Sequence, residues 1–439
     1  MKATFALLLL AITTATLHAQ PKKWTLRECV EYAWENNISI QQSELDLETN
    51  QVDWLDAVGN FLPSLNGQSN LSANTGLTTN PTTGILQNIT QQSFSGNLNA
   101  GYTIFDGLRN INQLNRAKLT ALAGQYRLDN IKDDISLAVA NAYLQILFNR
   151  ERLKLAITQY GVTEQDLKRT QELVDNGVLP RGDLLEIEAT AAAQQQQIVN
   201  AENNLALSKL SLAQLLLIRD YQNFDIADET FLLPTSTILE NSPKEIFEKA
   251  LTFRNDIKQS EQNVELAKTD LKIARGSLYP TLNAFFNYNA RYTDAVNLGF
   301  AEQLYTFDGI AYGLSLNVPI FNGFSAKNNV KRNKIALERS SLQLEQDKLD
   351  LENTINQAWN DTQNALKSFE AAQKTLDARR LAFEYARERY SVGLMNSFDF
   401  SQAQIRVDNA EADLVRTKYD YIFRLKVLEF YFGIPLDQI

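Results

Sequence analysis

The chain has almost none of the side chains from which catalytic and metal sites are usually built. Among 439 residues there is one histidine and one cysteine. The histidine, His18, lies in a leader-like segment, so a mature chain beginning at Gln20 has none. That excludes histidine general-base catalysis and histidine metal ligation. Cys29 cannot form an intramolecular disulfide, and it sits too far past the leader to be a lipidated first residue. It reads as a packed thiol on an early helix. No nucleophile constellation and no phosphate-binding loop is present, so no catalytic, cofactor or metal site is expected. Lysine and arginine number 42 against 52 acids, a formal net charge of −10 without the basic footprint that nucleic acid requires. Long apolar runs are also missing: nothing approaches the ~20 residues of a membrane-spanning helix. If the chain enters a bilayer, it must do so with strands.

What is present begins with a secretory pattern. Lys2 supplies a basic start, Phe5 to Ile12 a short apolar core, and Leu17-His18-Ala19 a small-residue cleavage site. Residues 1–19 are expected to be a signal peptide.

The remainder reads as two copies of one unit, 20–226 and 227–439. Asn60-Phe61-Leu62-Pro63-Ser64-Leu65-Asn66 returns as Ser277-Leu278-Tyr279-Pro280-Thr281-Leu282-Asn283, an offset of 217 residues. Ile104-Phe105-Asp106-Gly107 returns as Ile320-Phe321-Asn322-Gly323, an offset of 216, and Asn176-Gly177-Val178-Leu179 keeps that offset onto Val392-Gly393-Leu394-Met395. Matches in one order, with one residue of drift in the offset, mark a duplication.

Within each copy the pattern is helix, strand, strand, long helix, long helix. Pro63 and Pro280 close the first helices, and the period then switches to two. Phe94, Leu98, Ala100, Tyr102 and Ile104 alternate with Ser95, Asn97, Asn99 and Thr103, and Leu282, Ala284, Phe286 and Tyr288 alternate with Asn283, Asn287 and Asn289. Strands are expected over about 64–75, 92–105, 281–293 and 310–321, with loops over 75–91 and 294–309. Alternation of this length suits a strand with lipid on one face and water on the other. Beyond Gly107 and Gly323 the period becomes seven: Leu184, Ala191, Ile198, Leu205, Leu212; Val407, Leu414, Tyr421, Leu428; Leu337, Leu344, Leu351. Ile335, Leu342 and Leu349 run alongside the last set. These heptads predict coiled-coil helices over about 108–175, 182–218, 324–391 and 397–432. A helix over 324–391 would run roughly 100 Å at 1.5 Å per residue.

Four strands cannot stand alone in lipid, because an open edge leaves its backbone groups unpaired. Two copies would make an eight-stranded barrel whose interior side chains fill, and three would make twelve strands around a pore. The signal peptide, the duplication, the proline-led strands, the Phe-Asp/Asn-Gly strand-to-helix turns and the Tyr390-Ser391-Val392-Gly393 tip resemble the TolC family of outer-membrane channels. The likeness covers essentially the whole mature chain, and it rests on the order and spacing of these features rather than on any one of them. The resemblance implies a mixed α/β membrane fold, a trimeric twelve-stranded transmembrane β-barrel continuous with a coiled-coil periplasmic tunnel. It also implies a homotrimer in the lipid bilayer, working with a periplasmic adaptor protein and an inner-membrane pump or transporter.

The same resemblance points to the two helix–helix turns as periplasmic aperture and adaptor-docking surface. Gly177, Val178, Leu179 and Val392, Gly393, Leu394 are the adaptor-contacting candidates, and Asp183, Glu186 and Asp399 the aperture acids. Asp399 matches the first of two family acidic positions, whereas the second falls on Gln402. The family's closing arginine falls on Met395. The bland alternative is that Gly and Asp here simply end and cap helices. A periplasmic coiled-coil adaptor or scaffold is the rival function, although an adaptor would carry one helical hairpin and a lipoyl-like domain rather than a duplicated unit.

Overall fold

The computed structural model describes residues 22–79, 83–227 and 237–434. The expected signal peptide and residues 80–82 of the expected 75–91 loop lie outside them. In chain order the elements are β1 (Lys23–Trp24), α1 (Leu26–Asn36), α2 (Ile38–Gly59), β2 (Ser64–Thr79), β3 (Leu86–Phe105), α3 (Arg109–Asp175), α4 (Arg181–Leu215) and β4 (Asp225–Ile226). After a short 3₁₀ turn come α5 (Pro243–Phe253), α6 (Asn255–Gly276), β5 (Thr281–Thr293), α7 (Phe300–Thr306), β6 (Asp308–Asn317), α8 (Ser325–Ser391) and α9 (Ser397–Tyr431). The long helices have equal lengths in the two halves, 67 residues for α3 and α8 and 35 for α4 and α9. Among the described residues no helix is long and apolar enough to cross a membrane.

One helix was expected before each strand pair, and two are found. The first of each pair opens on a capping box, Thr25 with Glu28 and Ser242 with Glu245, so two orphan N–H groups are satisfied reciprocally at each start. It ends where Asn37 (ψ 129°) and Arg254 (ψ 125°) leave the helical region. Asn37 then caps the following helix, its Oδ1 accepting from the Ser39 N–H at 2.9 Å. Heptad spacing carries no sign of such a break.

The chain divides into two compact units, each drawing on both repeats. The unit formed by residues up to Ser43, Leu128–Arg254 and Lys348 onward is helical apart from β1 and β4, which pair in parallel with Lys23 opposite Asp225 and Trp24 opposite Ile226. Its core brings Leu26, Cys29 and Ala33 of α1 against Tyr143 and Ile146 of α3, Leu212 of α4 and Ile422 of α9. Cys29 is fully buried there. Around Asp225, Arg150 and Lys209 converge at 2.7 and 2.9 Å, and together they hold its carboxyl below the usual range although burial opposes them.

The second unit, Glu44–Arg127 and Asn255–Asp347, contains a four-stranded antiparallel sheet in the order β2-β3-β5-β6. Its register sorts the faces. Asn66, Asn99 and Asn287 share one row and Gln68, Asn97 and Asn289 the next, all on one face. Leu65, Ala100, Phe286 and Tyr312 share a row on the other, beside Leu98, Tyr288 and Ile310. Leu65, Phe286, Tyr312 and Ile310 are exposed in the single chain, so much of this face is apolar and uncovered, while Phe300 of α7 packs on Phe94 and Tyr292 at one end.

The strand ends depart from expectation. β2 continues to Thr79 and β3 begins at Leu86, so most of the expected 75–91 loop is paired strand, carried by Thr, Asn and Gln whose alternation is too weak to mark it. β6 stops at Asn317 instead of about 321, where Pro319 has no N–H to give the ladder. Between β5 and β6 the expected loop holds a helix, α7. Fully buried Gln303 fixes it, accepting from the Thr293 N–H at 3.0 Å and donating to the Thr293 carbonyl at 2.9 Å. A side-chain amide thus takes the place of a strand partner where β6 has not yet begun.

Both strand-to-helix turns are left-handed. Gly107 and Leu108 (φ 73° and 65°) match Gly323 and Phe324 (φ 61° and 63°). At Gly107 there is no room for more: a Cβ there would sit 2.3 Å from the Gly276 carbonyl oxygen.

Candidate functional site at the hairpin tips

Helices α3 and α4, and likewise α8 and α9, are joined by five-residue turns whose geometry is the same in both halves. Gly177 (φ 70°) and Gly393 (φ 75°) occupy the left-handed position that ends a helix. The Val178 and Leu394 N–H groups each reach back five residues, to the Leu173 and Arg389 carbonyls at 2.8 Å, while Gly177 and Gly393 bond three residues back. This is the Schellman arrangement, and it satisfies carbonyls the helix would otherwise orphan. A side chain at either glycine would cost roughly 1–2 kcal/mol. Val178, Val392 and Leu394 are 65%, 68% and 69% exposed, whereas Leu179 is half-buried.

The three candidate acids are not equivalent. Asp183, half-buried in the first turn of α4, accepts at 2.5 Å from the hydroxyl of buried Ser397, the first residue of α9, and so ties one tip to the other. Asp399 is exposed and held by its own N-cap: Asn396 Oδ1 accepts from its N–H at 2.7 Å and Asn396 Nδ2 donates to its carboxylate at 3.0 Å. Glu186, half-buried, lies one turn beyond Asp183. Both aspartates stand at helix N-termini, where the macrodipole favours negative charge.

Beneath the tips the hairpins join through a polar seam. Phe400 stacks on Tyr390 (centroids 4.5 Å, 8°) and on Phe383 (5.5 Å, 26°). Tyr390 and Thr170 approach within 3.4 Å through their hydroxyls, Gln404 donates to Thr163 at 2.7 Å, and Arg387 lies 3.8 Å from Asp166. Gln194 donates to the Asp408 carboxylate at 2.9 Å, and Gln159 bridges the Asp408 carbonyl and Glu411, which Arg380 also binds at 2.8 Å. Burial raises Asp166 despite Arg387 and Arg169. It lifts Asp408 to about 6, the Gln194 bond opposing and the Glu411 charge adding.

None of these seam residues was a candidate from the sequence, although a signal exists. Ser397, Ser401, Gln404, Asp408 and Glu411 follow the alternating four- and three-residue spacing of a coiled-coil seam, and Gln159, Thr163, Asp166 and Thr170 do the same on α3. A search for apolar heptads passes over a seam written in polar residues.

Comparison with known proteins agrees with this architecture. The sequence model of the outer membrane efflux protein family matches residues 30–216 and 246–433. Outer membrane efflux protein BepC of Brucella suis is 20% identical over 407 residues, 91% of this chain and 83% of that protein. Outer membrane protein TolC of Vibrio cholerae is 21% identical over 304 residues, 69% of this chain and 68% of its own. The crystal structure of the Campylobacter jejuni CmeC outer membrane channel superposes with a TM-score of 0.80 at 18% identity, covering 93% of this chain and 85% of that one. With both halves matched, the chain belongs to the outer membrane efflux protein family. It is an outer-membrane channel protein, the exit duct of an efflux or secretion system, with a helical periplasmic portion.

Proposed function

We propose that three copies of this chain close one twelve-stranded barrel in the outer membrane, continued by a coiled-coil tunnel through the periplasm. In this reading the tips form the aperture at the tunnel's inner end and dock a periplasmic adaptor, which links the duct to an inner-membrane pump or transporter. The observation that carries the proposal is the sheet itself. It has two free edges, β2 and β6, and an apolar face that is largely exposed. Unpaired edges are costly in hydrocarbon, and twelve strands is the smallest multiple of four that leaves a lumen. The polar face then lines a largely amide-bearing channel, with Asn66, Asn97, Asn99, Asn287 and Asn289 inward. At the tips, Asp183, Glu186 and Asp399 would contribute nine carboxylates per trimer.

Planar-bilayer recordings test this. The protein should open conducting pores that prefer cations over anions, because like charges at a narrow, low-dielectric opening concentrate counter-ions. The preference should weaken with added salt. Exchanging Asp183, Glu186 and Asp399 for Asn, Gln and Asn should shift the reversal potential toward zero while leaving pores intact. An unchanged potential would place the filter elsewhere.

A further inference from the structure

Helices α2 and α8, which adjoin the free edges β2 and β6, are each uncovered along one face, and the two faces complement one another. Residues 44–59 of α2 carry Glu44, Asp46, Glu48, Asp53 and Asp56 and no base. Residues 325–337 of α8 carry Lys327, Lys331, Arg332 and Lys334 and no acid, and Arg339 follows. Each face also has an exposed apolar pair at heptad spacing, Leu45 and Val52 (61% and 56%) on α2 and Ile335 and Leu342 (56% and 62%) on α8. Asp46, Asp53, Arg332 and Arg339 have no ion-pair partner among the described residues.

The chain contains its own template for joining such faces. Where the first repeat meets the second, α3 lies on α6: Arg116 Nε reaches Asp270 Oδ1 at 2.6 Å, and Gly107 is pressed against Gly276. Adding the repeat offset of 216 carries Arg116 onto Arg332 and Gly107 onto Gly323. Subtracting the offset of 217 carries Asp270 onto Asp53 and Gly276 onto Gly59. Residue type is kept at all four positions. Yet a Cβ at Gly59 or Gly323 would meet nothing within 4 Å, whereas at Gly107 or Gly276 it would collide. Glycines serve a close approach that the single chain makes at one junction and leaves open at the other.

We infer that a second copy of this chain fills that opening: α8 of one copy packs antiparallel on α2 of the next, with Arg332 paired to Asp53 and Gly323 seated on Gly59. Seven residues further along each helix, Arg339 falls opposite Asp46. The contact is heterologous, each copy offering its basic edge to its neighbour's acidic one, which is the kind of interface that closes rings. This inference rests on the trimeric reading and adds the register in which the copies meet.

A paired-cysteine experiment decides it. In a Cys29→Ser background, Asp53→Cys with Arg332→Cys in one chain should give dimers and closed trimers on denaturing gels after treatment with a short bismaleimide. Either single variant should stay monomeric there. Arg116→Cys with Asp270→Cys serves as the control, since it links within a chain and leaves the mass unchanged. Arg332→Asp should loosen the assembly, and adding Asp53→Arg should restore it. If native mass shows a trimer but the 53/332 pair gives no linked species while the control pair reacts, the register is wrong and the trimer stands. A monomeric native mass would overturn both.

Discussion

Asp408 shows what a single residue does in the seam below the tips. Burial raises its carboxyl from 3.8 to about 6, the reverse of the usual shift for an aspartate in an ion pair. Between those values the folded chain keeps a proton that the unfolded chain has released. Stability is therefore greatest in acid and falls as pH rises through about 6, where the folded state must bury a charge. The full shift corresponds to about 3 kcal/mol, reduced toward about 2 because the group is only partly buried and screened by water. Asp408→Asn keeps the Gln194 contact without the charge. It should raise the melting temperature at about pH 7.5 by a few degrees, by roughly half as much at about pH 5, and little at about pH 3, below both values. Thermal unfolding followed by circular dichroism at about pH 7.5 and about pH 3 measures this, and an equal effect at both would remove Asp408 as the cause. The spacing of Gln404 and Asp408 was visible in the sequence. Their meeting with Thr163, Gln159 and Gln194 was not, because it joins residues more than two hundred positions apart.

At the scale of the element, periodicity carried most of the information. A change of period from two to seven separates strand from coiled coil at Gly107 and Gly323, where left-handed backbone makes the turn. The break at Asn37 and the helix α7 escaped notice for a common reason. Each depends on a polar side chain standing in for backbone, Asn37 as a cap and Gln303 as a strand partner, and such substitutions leave no periodic trace. The glycines and acids of the tips were legible in type. Their division of labour was not, since only the fold brings Asp183 to Ser397. What the tips leave outward is apolar: Val178, Val392 and Leu394 stand on rigid Schellman turns with no internal partner to bury them. A preordered apolar knob docks at little entropic cost. Photo-crosslinkers at Leu179 or Leu394 should therefore capture an adaptor in intact cells, and one at Leu205, mid-helix, much less. Equal capture at the three positions would count against docking at the tips.

At the scale of the whole molecule, the sheet is unfinished in one chain. Its apolar face is exposed, its edges β2 and β6 have partners on one side only, and the flanking helices carry opposite charge. The sequence already implied that four strands must borrow others, given their number and the cost of bare edges in lipid. It did not show that the junction between copies would repeat the junction between halves, which depends on the α3–α6 contact at Arg116 and Asp270. Closure by three copies is the claim on which lumen, aperture and register all rest. The most direct measurement is native mass spectrometry of the protein extracted from outer membranes in mild detergent. A single species of three mature chains is expected, stable without added adaptor or pump and lost when detergent is withdrawn. A chain that runs as a monomer, or remains soluble as one without detergent, would contradict it.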